Sequence, residues 1–373
     1  MSNASNVWDA KTQAFHGGQE HRFLNNFVED FSVTTNYLGT PQLALEAAKE
    51  AINEIHHYPA ANQEPAKSCL AEFLWGSDYA QHHGRLLMGN GASELIDLVV
   101  RKALLSFSER GIKKPTWKGS PWNVQYREYQ RSAETNGFEI LDPSNPEKAD
   151  MICIVNPCNP TGDYFSVEPL KNWIKDNVKS GGCVIVDESM QPWHSADFRN
   201  DSLISEHDFA KDMYVTESVS IHVMHSWTKI WSCTGLRIGS VICPTDAHCE
   251  ALRKIQVPWS VNGPALKFVE AVVNDKGYLQ ETWDNTSRLR AYLVDQLKSL
   301  GHSEWEYHGK SFLSWVWLDM KDETLAAKAI DLARAAGVPV RSGKPGYQCN
   351  SFVRVAVRKE AQVHILIQAW KSL

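Results

Sequence analysis

Three apolar segments of strand length constrain the fold of this chain most strongly. They are residues 151–155, 183–186 and 220–224, and the stretches between them are long enough to hold crossover helices. Parallel strands need such crossovers, whereas antiparallel strands are joined by short turns. The alternation therefore predicts an α/β fold with a mainly parallel central sheet.

The periodicity changes after about residue 264. A long helical stretch reaches residue 300, and it is followed by a strand-like segment at 312–318, a helical one at 325–336 and a second strand-like one at 352–357. This mixed pattern predicts a smaller α+β domain after the large one.

The expected organisation is a large domain of residues 45–263 and a small domain of residues 1–44 and 264–373, with residues 1–44 including an N-terminal arm. A short strand at 30–34 and a helix at 41–56 are predicted near the start. Because no Gly/Ser-rich linker separates the two domains, a rigid joint with a cleft is expected.

Composition excludes several classes of protein. The net charge is -6 with no long block of Lys or Arg, which argues against a nucleic-acid partner. No stretch approaches the roughly 18 consecutive apolar residues of a membrane helix, and the first 20 residues lack the apolar segment of a leader. The eight cysteines form no metal-binding cluster. We expect a cytoplasmic protein with reduced thiols, no metal and no membrane contact.

A lysine between hydroxyl residues follows the third apolar run. Ser226, Thr228 and Lys229 lie there, with Arg237 eight residues beyond the lysine. An amine beside hydroxyls and a guanidinium suits a phosphorylated aldehyde, because the amine forms an imine and the other groups hold the phosphate. Taken alone, the string also fits a solvated surface lysine.

Acidic and amide side chains follow the other two runs. Asp187 ends the second, at the carboxyl edge where open α/β sheets bind ligands, and a buried carboxylate there needs a cation such as a pyridinium nitrogen. A helix cap is its simpler interpretation. Asn159 lies in a loop fixed by Pro157, Pro160 and Gly162, and its amide could donate to a phenolate oxygen.

A glycine turn opens a further predicted helix. Gly91, Ala92 and Ser93 precede the apolar helical run 94–105. Such a turn at a helix N-terminus is typical of an anion site.

Together these motifs resemble the aspartate-aminotransferase fold family, the fold type I enzymes that use pyridoxal 5'-phosphate and include the class I/II aminotransferases. The resemblance implies that Lys229 forms the imine with the cofactor, that Asp187 pairs with its ring nitrogen, and that Asn159 donates to its phenolic oxygen. Lys229 and Asp187 would be the catalytic residues.

The resemblance also implies the remaining cofactor contacts. Tyr126 would stack on the ring, although a core aromatic is its alternative, and Tyr58 would reach the phosphate of a neighbouring subunit's cofactor. A homodimer with shared active sites is therefore implied. The residues expected around the phosphate are Gly91, Ala92, Ser93, Ser226, Thr228 and Arg237.

Further strings are most similar to threonine-phosphate decarboxylases, which are relatives of histidinol-phosphate aminotransferases. They are residues 16–18, 30–32 ahead of 38–39, 258–262, 341–342 before 345–346, and 354–358. By this resemblance His16, Arg341 and Arg354 would bind the phosphate or carboxylate of a small amino-acid substrate.

Two positions depart from the related enzymes. Thr34 stands at the substrate-binding position where the decarboxylase has an asparagine, and Met190 stands where typical aminotransferases have a tyrosine. The sequence thus predicts decarboxylation of an anionic amino acid slightly ahead of the alternative, amino transfer to a 2-oxo acid. Elimination or cyclisation remain open. A non-catalytic ligand-binding relative is disfavoured because Lys229, Asp187 and Arg237 are all retained.

Overall fold

A computed structural model describes residues 16–373, which form two compact units. The large unit comprises Leu38–Asn159 and Tyr164–Glu281, and the small unit comprises residues 16–37, Pro160–Asp163 and Thr282–Leu373. The first fifteen residues, which belong to the predicted N-terminal arm, lie outside the described residues.

The large unit is built on a seven-stranded sheet with the order β1-β7-β6-β5-β4-β2-β3. Neighbouring strands are parallel except β7, which runs antiparallel to both β1 and β6. The strands are β1 Leu86–Asn90, β2 Thr116–Lys118, β3 Glu139–Leu141, β4 Ala149–Val155, β5 Val178–Asp187, β6 Ser220–Ser226 and β7 Ile238–Ile242. The helices are α1 Gln42–Ala51, α2 Ala66–Trp75, α3 Tyr79–His82, α4 Gly91–Glu109, α5 Glu128–Thr135, α6 Val167–Asn177, α7 His207–Glu217, α8 Asp246–Ile255 and α9 Gly263–Val272, and α10 Lys276–Lys298 continues into the small unit.

Burial explains why the three apolar runs become central strands. Every residue of β4 is buried, and β5 is buried from Cys183 to Asp187. Strands covered on both faces read as continuous apolar runs, and each fully buried large aliphatic side chain stabilises the fold by about 1.5–3 kcal/mol. In the sheet register Val155 pairs with Asp187, and Asp187 pairs with Met224. The carboxyl ends of β4, β5 and β6 therefore lie side by side.

The small unit carries an antiparallel sheet of order β10-β11-β9-β8. Its inward residues, such as Val316, Leu318 and Val355, pack in one core with apolar residues of the helices. The strands are β8 Glu306–His308, β9 Trp315–Asp319, β10 Arg341–Ser342 and β11 Phe352–Ala356, and the helices are α11 Glu323–Ala335, α12 Lys344–Tyr347 and α13 Glu360–Trp370.

The predicted fold class is confirmed, and the three apolar runs lie in β4, β5 and β6. The predicted strand 30–34 is wrong, since only Phe31 forms an isolated bridge, to Val340. The backbone amide and hydroxyl of Ser32 instead donate to Asp30, and such a side-chain turn competes with strand pairing.

Two other predicted boundaries differ from the structure. The helical stretch 264–300 is two helices, since α9 ends at Val272 and α10 begins at Lys276. The compact units divide at residues 37/38 and 281/282 rather than at 44/45 and 263/264, because α9 packs along α1 within the large unit. Among residues 16–373, every helix is too short or too polar to cross a lipid bilayer.

Candidate active site

A cavity opens where β4, β5 and β6 end, and we call it the strand-end cavity. It holds most of the side chains that the sequence assigns to the cofactor, although those residues are far apart along the chain. Its lining consists of Ala92, Ser93, Tyr126, Val155, Asn159, Asp187, Ser189, Met190, Ser226, Lys229 and Arg237.

Asp187 supplies a buried carboxyl group to this cavity. Its Oδ1 accepts a hydrogen bond of 2.8 Å from the backbone amide of Ser189. Burial raises the pKa of Asp187, while the hydrogen bonds from Ser189, the Tyr129 phenol and the charge of Lys229 act in the opposite direction. A cation placed beside this carboxyl group would favour its ionised form.

Lys229 is tied to the end of β6 through hydroxyl groups. Its Nζ donates to Thr228 Oγ1 at 3.1 Å, and Thr228 Oγ1 lies 2.9 Å from Ser226 Oγ. The backbone amide of Ser226 donates to Ser189 Oγ at 2.7 Å. The amine that the sequence singled out thus belongs to one hydrogen-bonded series with residues beside Asp187.

The N-terminus of α4 forms the other end of the cavity. Gly91 has φ of 76°, and a Cβ atom there would lie 2.4 Å from Arg237 Nη2. A Cβ on Gly239 would lie 2.5 Å from the backbone nitrogen of Ala92. These glycines let a guanidinium group and a strand pack directly on the first turn of α4, whose amides have no acceptor within the helix. Cation and helix amides together suit a phosphate.

Asn159 is presented by a loop that Asn156 closes. The side chain of Asn156 accepts from the backbone amide of Phe165 and donates to its carbonyl, each at 2.8 Å. Tyr126 lines the cavity and packs edge-on against Tyr129, with ring centroids 6.2 Å apart.

Three sequence-predicted cofactor residues lie outside the cavity lining, namely Gly91, which contacts Arg237 as described above, Thr228 and Tyr58. Thr228 is fully buried behind it and contacts Lys229 Nζ. Tyr58 is 79% exposed and stacks on Trp259 at 4.5 Å between ring centroids. The described chain does not bring Tyr58 to the strand-end cavity.

The small unit brings the two predicted substrate arginines together, and we call Arg341 and Arg354 the arginine pair. They are cross-strand partners in β10 and β11, and both are buried. Arg354 Nη2 donates to the carbonyl of Ser32 at 2.6 Å. Burial lowers the pKa of Arg341 to about 10, and the charge of Arg354 acts in the same direction. Two guanidinium groups in this position suit an anionic ligand.

His16 and Thr34 have less specific surroundings. His16 is exposed, and the next two residues lie against Ser32, whose Oγ accepts from the Gly18 amide at 3.1 Å. Thr34 is buried, and its carbonyl accepts from Ser314 Oγ at 3.0 Å. The structure gives neither residue a contact that is specific to a ligand.

Comparison with known proteins places these observations in a family. The sequence model described as aminotransferase class I and II matches residues 28–369. The chain belongs to the class I and II aminotransferase family. Enzymes of this family depend on pyridoxal 5'-phosphate, which is therefore the cofactor of this chain.

Individual relatives agree with this assignment. Histidinol-phosphate aminotransferase 2 of Pseudomonas aeruginosa is 26% identical over 337 residues, covering 86% of this chain and 82% of the relative. The solved histidinol-phosphate aminotransferase of Sinorhizobium meliloti, in complex with pyridoxal-5'-phosphate, superposes with a TM-score of 0.75 at 17% identity over 93% of this chain and 90% of that one. The solved L-threonine-O-3-phosphate decarboxylase of Porphyromonas gingivalis superposes with a TM-score of 0.71 at 17% identity, over 92% of this chain and 99% of that one.

The strand-end cavity fits this cofactor on chemical grounds. The family cofactor has an aldehyde, a ring nitrogen and a phosphate, and the cavity offers an amine in Lys229, a buried carboxyl group in Asp187 and a guanidinium on a helix N-terminus in Arg237. A Cβ on Gly91 would lie against the Arg237 guanidinium, so glycine at this position lets the cation approach the first turn of α4.

Sequence reasoning missed several polar residues of this aminotransferase site. Ser189 lines the cavity, and Tyr129 is a fully buried neighbour of Asp187. The Asp-x-Ser spacing from Asp187 to Ser189 was a usable signal, because serine two residues after aspartate commonly donates back to its carboxylate. Among the described residues, no three His, Cys, Asp or Glu side chains are grouped so that they could hold a metal ion.

Proposed function

We propose that this enzyme is an aminotransferase that moves the amino group of an anionic, phosphorylated amino acid or amine to a 2-oxo acid. The observation that carries the proposal is the run of curated relatives, which are named histidinol-phosphate aminotransferases and match most of the chain. Lys229, Asp187 and Arg237 in one cavity supply the chemistry that such a reaction needs.

Decarboxylation was the slightly preferred expectation from the sequence, and the relatives favour its alternative. One observation keeps decarboxylation as the second candidate. Met190 is buried in the cavity lining, where typical aminotransferases have a tyrosine hydroxyl, and a threonine-phosphate decarboxylase shares the fold.

When bound, the cofactor supplies a cationic ring that withdraws electrons from the substrate's α-carbon. Lys229 Nζ would act as the general base that takes the proton from the substrate's α-carbon and then as the general acid that gives a proton up again. The Asp187 carboxylate would stabilise the positive charge of the ring nitrogen, Asn159 would donate to the ring oxygen, and Tyr126 would pack against the ring.

The phosphate would be held by Arg237, by Ser226 and Thr228, and by the amides of the first turn of α4. These contacts orient the cofactor without entering the reaction. Substrate recognition is assigned to the arginine pair, with His16 and Thr34 as further substrate-binding residues. A phosphate or carboxylate would neutralise the two guanidinium groups, which otherwise repel each other.

We also infer a homodimer in which Tyr58 reaches the cofactor of the neighbouring subunit. Ile55 and Trp259 line one surface pocket with Tyr58, and all three side chains are exposed. Exposed apolar patches of this kind are typical of protein interfaces. A second copy would cover the patch, and sedimentation of the purified protein should give a dimer that Ile55→Glu dissociates. A monomeric wild-type protein would contradict the inference.

The reaction itself is tested with purified protein and added pyridoxal 5'-phosphate. Histidinol phosphate, phosphothreonine, phosphoserine and glutamate are each incubated with and without a 2-oxo acid. We expect a new amino acid to form from the 2-oxo acid, with turnover that stops when it is omitted. Release of carbon dioxide without a need for any 2-oxo acid would contradict amino transfer and favour the decarboxylase.

A further inference from the structure

Ser189 connects the two strand ends that carry the proposed catalytic residues. Its backbone amide donates to Asp187 Oδ1 at 2.8 Å, and its Oγ accepts from the backbone amide of Ser226 at 2.7 Å. Ser226 begins the short hydroxyl series that leads to Lys229 Nζ. The serine hydroxyl is therefore shared between β5 and β6.

Which group donates and which accepts in these hydrogen bonds follows from the groups themselves. A backbone amide can only donate, so the Ser226 amide uses a lone pair of Ser189 Oγ and leaves the hydroxyl hydrogen available for another acceptor. The hydroxyl and the amide of Ser189 both lower the pKa of Asp187, so both favour its ionised carboxylate. Bonds arranged in series polarise one another and strengthen the end acceptor.

A second Asp-x-Ser turn has the same amide-to-carboxylate bond, but its serine hydroxyl bonds the aspartate and not a neighbouring strand. At Asp142 and Ser144 the amide and hydroxyl of the serine donate to Asp142 Oδ1 at 2.8 and 2.5 Å, but this turn is exposed and is absent from the cavity lining. The turn itself is thus a common local motif. What distinguishes Ser189 is its buried place and its bond to the end of β6.

We propose that Ser189 is a positioning residue that keeps Asp187 ionised toward the cofactor's ring nitrogen and fixes the end of β6 that leads to Lys229. This rests on the proposed role of Asp187. It assigns to Ser189 no contact with the reacting atoms. Its effect is transmitted through the Asp187 carboxylate and through the backbone of Ser226.

Replacing the hydroxyl should change the affinity for the cofactor and the protonation of its ring nitrogen. In Ser189→Ala the Ser226 amide loses its acceptor, and the hydroxyl that lowers the pKa of Asp187 is removed. A lost hydrogen bond to a charged group weakens cofactor binding by roughly 10- to 100-fold. With nitrogen-15-labelled cofactor, the ring-nitrogen resonance should move toward that of a neutral pyridine at a pH where the wild-type ring is protonated.

Three variants make the test specific. Ser189→Thr retains a hydroxyl and should restore the wild-type resonance, whereas Ser189→Cys, with a weak thiol donor, should shift it in the same direction as alanine. Ser144→Ala removes the matched turn from the exposed site and should change neither the resonance nor cofactor affinity. If Ser189→Ala fails to fold, the cysteine and threonine variants carry the comparison.

The Asp187→Asn variant distinguishes a failure of the role proposed for Ser189 from a failure of the role proposed for Asp187. A resonance that moves in Asp187→Asn but stays at the wild-type position in Ser189→Ala and Ser189→Cys would overturn the role of Ser189 alone. A resonance that stays in place in Asp187→Asn would overturn the role of Asp187, and the inference with it. Movement in Asp187→Asn, Ser189→Ala and Ser189→Cys, with restoration by threonine, supports both.

Discussion

The strand-end cavity of the large unit and the arginine pair of the small unit hold their polar groups in different ways. In the cavity, hydroxyls join Lys229 to residues beside Asp187, so the side chains orient one another. In the small unit, the guanidinium of Arg354 bonds a backbone carbonyl and lies opposite a second guanidinium. The polar side chains of the cavity thus contact one another, whereas the contact seen at the arginine pair is to the backbone.

Arg358 shows what an arginine of the small unit looks like when its role is structural. Its guanidinium donates to the carbonyls of Asp30, Val33 and Thr35 at 2.6 to 2.9 Å, and it forms an ion pair of 3.4 Å with Glu29. The same short segment thus holds a structural arginine, Arg358, and Arg354, which we propose binds the substrate. The comparison predicts that variants of the cavity act on chemistry, whereas variants of the arginine pair act on substrate affinity.

The largest expected effect is on the chemistry of the cavity. Asp187→Asn removes the buried negative charge, so kcat for amino transfer should fall roughly 10²- to 10³-fold, the usual cost of losing a preorganised electrostatic contact. KM for the amino donor should change little, because Asp187 is not assigned to the substrate. Steady-state kinetics with saturating cofactor measures both. A large rise in KM at unchanged kcat would break the distinction between the two regions.

Burial in the large unit should also make stability depend on pH. Burial raises the pKa of Glu188 from 4.5 to about 7, and the charges of Asp187 and Asp201 act in the same direction, against the hydrogen bonds from Ser202 and Leu203. His225, with Nε2 at 4.0 Å, and Tyr164 are its other titratable neighbours. The protonated carboxyl contributes stability below pH 4.5 that is lost as the pH rises through about 7.

Glu188→Gln removes this titration. Its free energy of unfolding relative to wild type should therefore rise by up to about 3 kcal/mol between pH 4.5 and pH 8. Denaturant unfolding of both proteins across this range measures the difference. A difference that stays constant with pH would show that Glu188 does not titrate in this window.

The arginine pair is tested against Arg358. Arg354→Ala should raise KM for the anionic substrate roughly 10- to 100-fold, because a charge-assisted hydrogen bond to the ligand is lost. Arg358→Ala should instead lower Tm, since several buried carbonyls lose their donor. Kinetics and thermal unfolding of the two variants sharpen the comparison. Equal changes in KM for both would contradict it.

The smallest expected effect concerns the phosphate end. Gly91→Ala places a methyl group on the Arg237 guanidinium and should weaken cofactor binding by about tenfold. Gly111→Ala is the matched control, because Gly111 also has a positive φ, 80°, but a Cβ there meets nothing within 4 Å. It should lower stability and leave cofactor affinity unchanged. Equal cofactor affinities in the two variants would contradict the claim that the close approach at Gly91 shapes the phosphate end of the site.

The sequence predicts the strand-end cavity better than the arginine pair's surroundings. Asp187 and Lys229 follow apolar strands directly, so their shared position at one sheet edge follows from the parallel order of the strands. The hydroxyl of Ser189 depends on the register of β5 with β6, which no local pattern specifies. The pairing of Arg341 with Arg354 likewise depends on a two-residue strand. The strand predicted at 30–34 does not form, because local side-chain hydrogen bonds replace strand pairing there.

The most direct test of the central claim is the identity of the lysine that binds the cofactor. Protein loaded with pyridoxal 5'-phosphate should absorb at roughly 410–430 nm, and borohydride should remove this band and fix the cofactor on the chain. Peptide mass spectrometry should place the label on Lys229, and Lys229→Ala should carry neither band nor label, whereas Lys267→Ala, at an exposed lysine, should behave as wild type. A label on a different lysine, or a reducible band that survives in Lys229→Ala, would contradict the account.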